Sequence, residues 1–335
     1  MSKLLIWSDL HAHPYREFSY YMDQGLNSRF NDCLQCLSAI QTSFLKNECN
    51  EMVFLGDIYH LKDGVSSTVI RWITEWLHGW AEDWPITFVC GNHDYTMWNK
   101  SPAMVQLLEH LGGNMVTVSN GFVERDSFDF YIEDYTRAAD ELNARLPALK
   151  LDRKTIFLAH QDLIGSQYGG IINQRGLDPD FLSKKFAWSF VGHYHKSEAV
   201  RENVISCGAP LPHNFSDMHG DRGWWILDTE TNELKFCKND FSPQFKEIIL
   251  EKDQRIDFDD DKNFYRVKVR GTGDRPEGLE RLKWARVSYE SGAVGKRRSS
   301  ISVSDKKEDI LTKYVEMKAG DLDKEKLLEV GRRFL

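Results

Sequence analysis

Short apolar runs that break abruptly into polar loops recur through the first 230 residues of this 335-residue chain. KLLIW at 3–7, MVFLG at 52–56 and ITFVC at 86–90 have the length and composition of buried strands. Between them the spacing changes to a helical one. Phe30, Cys33, Leu37, Ile40 and Phe44 share one stripe of a helix over 28–47, and residues 65–83 form a second amphipathic helix. A short helix is expected at 102–112. TIFLAH at 155–160, WSFVGH at 188–193, NVISCG at 203–208 and GWWILD at 223–228 are further strands. Strand alternating with helix predicts an α/β fold, with the second half richer in strands.

The polar stretch EKDQRIDFDDDKN marks a boundary at 251–263. Beyond it FYRVKVRG (264–271) alternates as a strand, PEGLERLKW (276–284) reads as helix, and ARVSYES and SSISVS read as strands. Two helices follow, at 305–317 and 323–334. The expected organisation is one large domain over 1–250, a linker over 251–263, a small α+β unit over 264–304 and a helical segment over 305–335.

Composition adds an asymmetry. The net charge is −8, yet residues 262–335 hold 19 Lys+Arg against 12 Asp+Glu, leaving 24 against 39 for the rest. A basic end on an acidic body suits a polyanionic partner. With 41% hydrophobic residues the chain can build a sizeable core. The six cysteines lack the paired spacing of a zinc knuckle and are expected to be reduced. The first apolar run is too short for a signal peptide, and no window approaches a membrane span, so a cytoplasmic protein is expected.

The chemistry gathers where strands run into loops. Asp9 and His11 follow the first strand; Asp57 follows the second, with His60 three residues on. Gly91, Asn92, His93 and Asp94 follow the third. His160 ends the fourth, and His193 and His195 follow the fifth. Carboxyl ends of strands are where sites assemble in α/β sheets. Two aspartates, one asparagine and four histidines suit manganese, iron or zinc, and cysteine is absent. Seven such donors are too many for one ion with open positions. They suit two ions sharing a bridging carboxylate. A lone histidine is usually structural; five clusters in order are not independent accidents.

SDLH, GDIYH, GNHD, LAHQ and GHYH, in this order and spacing over residues 3–230, resemble the five motifs of the calcineurin-like metallophosphoesterases. The resemblance implies a four-layer α/β/β/α sandwich with a small C-terminal α+β capping domain. It implies two divalent ions, manganese first, with magnesium, iron or zinc also compatible. Asp9, His11 and His195 would hold one ion; Asn92, His160 and His193 the other; Asp57 would bridge. His93 would protonate or steady the leaving oxygen. His60, three after the bridging aspartate, is similar to the DNA-repair nucleases of the SbcD type, bacterial or phage, where it helps to place the phosphate. FYRVKVRGTGDRPEGLERLKW looks like their capping domain and KKEDILTKYVE like the tail that docks on a coiled-coil SMC-like ATPase of the SbcC type. The implied protein is a homodimeric DNA exonuclease or endonuclease acting with that ATPase in repair, recombination or degradation. A small-molecule or protein phosphoesterase of the same superfamily, and an interaction subunit with little activity of its own, are the alternatives.

Other residues are weighed against these. Ala12-His13 stands where the family often has Leu-Gly, and His13 is expected to be solvated. His78, His110 and His219 are expected at the surface, whereas His213 is a candidate for the cleft wall. Tryptophans at 72, 76, 80 and 84 recur every four residues, which suits either core or a dimer face. Arg275, Lys283, Arg286, Lys296, Arg297 and Arg298 are candidate phosphate contacts, able to bind DNA without reading its sequence.

Overall fold

In the computed structural model of the chain, residues 2–23, 25–96, 116–118, 120–251, 254–271, 275–290, 307–318 and 323–332 are described. The expected helix at 102–112, the strand SSISVS, His110 and the basic run Lys296, Arg297 and Arg298 lie outside the described residues.

The chain divides into two units. The first comprises Met1–Ile248, Asp257–Arg266 and Glu280–Arg286; the second comprises Ile249–Ile256, Val267–Leu279 and Val287–Leu335. The first unit holds two six-stranded sheets. One has at its centre β1 (Lys3–Trp7), β2 (Glu51–Phe54), β3 (Ile86–Phe88) and β4 (Val116–Val118), all parallel. The other contains β5 (Gly121–Glu124), β6 (Asp129–Glu133), β7 (Thr155–His160), β10 (Trp188–Gly192), β11 (Glu198–Arg201) and β12 (Val204–Ser206), with β6, β7, β10 and β12 parallel. The antiparallel pair β13 (Gly223–Asp228) and β14 (Leu234–Lys238) completes the first sheet, and a short hairpin, β8 (Gln167–Tyr168) and β9 (Ile171–Ile172), stands apart.

Because side chains alternate across a strand, each sheet has two apolar faces to cover. Leu4 and Ile6 of β1, Val53 of β2, and Phe130, Ile132, Ile156, Leu158 and Phe190 of the second sheet form one cluster between the sheets. Leu5 and Trp7 turn the other way, onto Phe30, Leu37, Ile40 and Phe44 of helix α1 (Ser28–Lys46) and Ile73, Leu77 and Trp80 of helix α2 (Ser67–Ala81). Phe157 and Ala159 turn outward onto Leu142 of α3 (Ala139–Arg145) and Leu182 of α4 (Pro179–Lys185). Three clusters between four layers make the α/β/β/α sandwich.

The tryptophan stripe of α2 is used inside this unit. Trp80 is buried, stacks at 6.1 Å on Trp76, and meets Phe44 edge-on; Trp76 meets Trp7; Trp84 meets Phe44. Of the four, Trp72 is exposed, Trp76 and Trp84 are half-buried and Trp80 is buried. The six cysteines are free thiols. Among the described residues no helix is long and apolar enough to cross a membrane.

A three-stranded sheet orders β15 (Phe245–Leu250), β16 (Asp260–Arg270) and β17 (Leu282–Glu290). β16 begins inside the stretch read as a linker. The helix expected at 276–284 is instead one turn, Leu279–Arg281, running into a strand. Leu279 and Leu282 have helical spacing over that turn only; from Leu282 onward apolar Leu282 and Trp284 flank exposed Lys283, the period of a strand. In the second unit, helices α5 (Lys307–Lys318) and α6 (Lys324–Arg332) pack together, Arg332 bonding Glu308 at 2.8 Å.

Candidate metal centre

The parallel strands of both sheets end at the same cleft, of about 800 Å³. Asp9 and His11 follow β1, Asp57 follows β2, Asn92 follows β3, His160 is the last residue of β7, and His193 and His195 follow β10. The structure brings these seven side chains close together.

The backbone at these turns is unusual. Asp9, His11, Asp57 and His193 have φ of 53°, 46°, 61° and 100°. Left-handed conformations disfavour residues with a Cβ, and they persist where surrounding structure imposes them for function. The imposing bonds are visible. Asp9 N donates to Gly56 O at 2.9 Å, His11 N to Asp57 O at 3.0 Å, and His193 N to the Asp9 carboxylate at 3.0 Å. Gly91 lies so close to Asp57 that a Cβ there would collide with its carboxylate.

Three groups have donor atoms all within 4.8 Å of one another: first Asp9, His11 and His195, second Asp57, His160 and His193, and third His11, His60 and His93. Asn92 Oδ1 joins the second, 3.1 Å from His160 Nε2 and 2.9 Å from His193 Nδ1. Asp57 lies between the first two. Its Oδ2 is 3.6 Å from His11 Nε2 and 3.4 Å from His160 Nε2.

The donor atoms fit divalent ions on three counts. Asp9 Oδ1 is buried and has no hydrogen-bond partner, a costly state for a carboxylate oxygen unless a cation answers it. His160 Nδ1 sits 2.6 Å from Leu55 O, so it carries a hydrogen, and its Nε2 faces the Asp57 carboxylate at 3.4 Å. His195 Nδ1 lies 3.1 Å from both Asp217 oxygens, and its Nε2 is 3.2 Å from His11 Nε2. A carboxylate or carbonyl behind a histidine, with the far nitrogen aimed inward, is the arrangement that orients metal ligands.

The electrostatics say the same. Burial pulls the His160 imidazole down, but the Asp57 carboxylate overrides it and raises it to about 10. Burial pushes the Asp57 carboxyl up, and His160 and His11 override that, holding it well below its ordinary range. Burial likewise pulls His195 down, and Asp217 outweighs it. Positive charge is what this cradle of carboxylates demands, as protons or as cations.

Sequence reasoning missed the supports. Asp94, in GNHD, is fully buried and accepts from Asp57 N and Gly91 N at 2.7 Å and from Ile58 N at 3.2 Å. Asp217 also accepts from His213 N at 2.9 Å. His213 is 5% exposed, and its Nε2 lies 3.0 Å from Asp9 O. Arg29, equally buried, donates to His213 O at 3.0 Å and lies within about 5 Å of the Tyr15, Phe245 and Phe264 rings.

His13 is not solvated as expected. It is half-buried in the cleft wall, edge-on to Tyr15 at 5.0 Å and 5.2 Å from His60. His78 and His219 are exposed. His60 and His93 lie in the cleft with rings stacked at 5.9 Å. His93 Nδ1 is 2.5 Å from His60 O, and His93 N donates to Asp57 at 2.7 Å. Burial, then His13 and His93, lower His60 to about 4. Arg275, Lys283 and Arg286 are exposed; Lys283 Nζ lies 5.1 Å from the Tyr20 ring, and Arg286 pairs with Glu17 at 3.0 Å.

No protein-family model matches the chain. Exonuclease subunit 1 of Enterobacteria phage T4 is 29% identical over 202 residues, 58% of this chain and 57% of that protein. The chain thus spans little more than half of that relative's length. Solved structures that align include an archaeal phosphodiesterase (16% identity, 71% of this chain and 99% of that one, TM-score 0.38). A dimetal phosphatase from Danio rerio (11%, 67% and 91%, TM-score 0.43) and a calcineurin-like phosphoesterase from Bacillus subtilis (13%, 71% and 88%, TM-score 0.37) also align. In its five motifs, which the structure sets around one cradle of histidine and aspartate, the chain resembles the calcineurin-like phosphoesterases.

Proposed function

We propose that the chain is a two-metal phosphodiesterase acting on DNA. The carrying observation is the pair of ligand groups flanking Asp57. Asp9, His11 and His195 would hold one ion, Asn92, His160 and His193 the other, and Asp57 both. Two divalent ions in such a site supply Lewis acidity toward a phosphate and activation of the attacking water. Manganese is the proposed ion.

The chain's own residues supply the rest. His93 Nδ1 is committed to the His60 carbonyl, which leaves Nε2 to deliver a proton to the leaving oxygen. His60, lowered by burial, stays neutral near pH 7 and can donate one hydrogen bond to a phosphate oxygen. The Asp57 carboxylate fixes the His93 backbone, so acid and bridging ligand move as one.

DNA as substrate is supported by His60 and by the likeness to the phage exonuclease subunit. The domain proposal assigns 1–250 to the nuclease, 264–304 to a capping domain and 305–335 to ATPase docking. Arg275, Lys283 and Arg286 are proposed phosphate contacts, together with Lys296, Arg297 and Arg298. A coiled-coil ATPase, a homodimer and a cytoplasmic setting belong to the same proposal. The test is cleavage of single-stranded and duplex DNA with manganese and with EDTA, then with a coiled-coil ATPase on blocked duplex ends. Hydrolysis of nucleotides or phosphoprotein without cleavage of DNA would replace this reading with that of a general phosphoesterase.

A further inference from the structure

The hairpin Gln167–Ile172 belongs to no part of the catalytic argument, yet it stands beside the cleft. Tyr168 lines the cleft together with Asn92, His193 and Tyr194, and its ring lies 6.5 Å from that of Tyr194. Gln167, Tyr168, Gly169 and Gly170 line a smaller depression of about 360 Å³ that His195 also lines. The hairpin therefore borders both, next to a metal-type ligand.

Its chemistry is out of keeping with a solvated loop. Tyr168, Ile171 and Ile172 are 49%, 73% and 53% exposed, three large apolar side chains flanking one two-residue turn. Tyr168 pairs with Ile171 across the ladder and Gln167 with Ile172. The turn is Gly169-Gly170, both with positive φ, as a tight hairpin of native twist requires.

The base is rigid while the tip is bare. Gln167 N donates to Glu198 at 3.0 Å, and Lys196 holds Glu198 at 2.6 Å. Gly165 N donates to Asn173 O at 2.9 Å, Asn173 N to Ser166 O at 2.8 Å, and the Asn173 amide to Leu163 O at 3.0 Å. Ser166 is fully buried and bonds Leu163 O at 2.6 Å. A preorganised apolar tip on such a footing suits insertion against a flat apolar partner.

We infer that this hairpin is a wedge that stacks on the last base pair of a DNA end and parts its strands at the cleft. The inference rests on the DNA reading above. Nucleobases are the occupant favoured by position, since Tyr168 of the hairpin forms part of the wall of the cleft proposed to cleave a phosphodiester. Apolar side chains driven between base steps unstack them, and aromatic rings hold an unpaired base whatever its identity. Exposed Arg175, just beyond the second strand, is placed to meet a backbone phosphate.

The experiment compares two manganese-dependent rates on the full chain: a blunt duplex, and the same duplex with three unpaired terminal nucleotides. For I171S/I172S the blunt rate should fall about tenfold relative to the frayed rate, and I171L/I172L should restore the wild-type ratio. An unchanged ratio, or an equal loss on both substrates with an unchanged melting temperature, overturns the wedge. Release of the wild-type chain from phosphatidylglycerol vesicles by I171S/I172S, with the cleavage ratio unchanged, would assign the tip to a membrane surface instead and also overturns it. The parent reading fails separately: wild-type chain that hydrolyses bis(p-nitrophenyl) phosphate with manganese but leaves both DNAs intact.

Discussion

Asp217 grips His195 from behind, both carboxylate oxygens 3.1 Å from Nδ1, while Nε2 faces His11 at 3.2 Å. The carboxylate is itself fixed by His213 N and by Arg222, whose guanidinium lies 3.7 Å from it and donates to the Asp217 carbonyl at 2.7 Å. Removing such a partner costs about 10–100-fold in metal affinity. Asp217→Asn should therefore shift the manganese dependence of hydrolysis to higher concentration by about that factor, with near-normal rate at saturation. A manganese titration of the variant decides it, and an unmoved midpoint would deny Asp217 this role.

His93 presents a different outcome. It groups with His11 and His60 rather than with Asp57, His160 and His193 or with Asp9 and His195, and its bond to Asp57 runs through its backbone, which survives side-chain truncation. His93→Ala should lower cleavage by about 10²–10⁴-fold, the usual contribution of a positioned acid. Ion stoichiometry by calorimetry should stay at the wild-type value. A substrate with a nitrophenolate leaving group, which needs no proton, should recover most of the loss.

The metal-type residues were legible in the sequence because each is a distinctive chemical type at a strand end, and the ends of parallel strands converge. Asp217 was not, since HNFSD looks like a surface loop and only the fold brings it 22 residues back onto His195. Asp94 was quoted within its motif without a role, because nothing local says that a carboxylate will be wholly buried under three N–H groups. The helix read at 276–284 failed for another reason: Leu279 and Leu282 mimic helical spacing over a single turn, and pairing with neighbouring strands decided the rest. His13 was read from its loop position alone, whereas one of its two ring contacts comes from His60, far along the chain.

Asp94 ties together the two loops that carry Asp57 and Asn92. It accepts from Gly91 on one and from Asp57 and Ile58 on the other. Asp94→Ala leaves three buried N–H groups without an acceptor, each costing about 1–3 kcal/mol. Destabilisation of about 3 kcal/mol or more is expected by denaturant unfolding. Asp94→Asn keeps one acceptor oxygen and should lose markedly less. Equal stability of the two variants would mean that the bonds are replaced by water.

Arg29 tests how far the aromatic box behind the cleft matters. Its guanidinium lies 4.7 Å from the Phe264 ring and 4.8 Å from the Tyr15 ring, and donates to the carbonyl of His213. Arg29→Met preserves much of the stem but removes the cation and the bond, leaving a buried carbonyl unanswered. A loss of about 2 kcal/mol is expected, together with a weaker hold on His213 and hence on Asp9 O. The manganese midpoint should rise with the loss of stability, whereas Arg29→Lys should recover stability in part, because a lysine keeps charge but not the planar fork.

Metal removal should be felt as stability as well as activity. Asp9 and Asp57 place two carboxylates in one buried cradle, with Asp9 Oδ1 unpartnered and His160 Nε2 aimed at Asp57. A cation relieves each of these in the native state and finds no such cradle in the unfolded chain, so binding adds to the free energy of folding. Manganese at about 100 times its dissociation constant would contribute about 2.7 kcal/mol per site, raising the melting temperature by about 5–10 °C. EDTA should reverse the gain and manganese should restore it. His195→Ala removes a donor from the first group alone, so its gain should be smaller than that of wild type, while a chain with both groups disabled, His195→Ala with His160→Ala, should show none. Melting temperatures that coincide with and without manganese would remove the basis for a resident pair of ions.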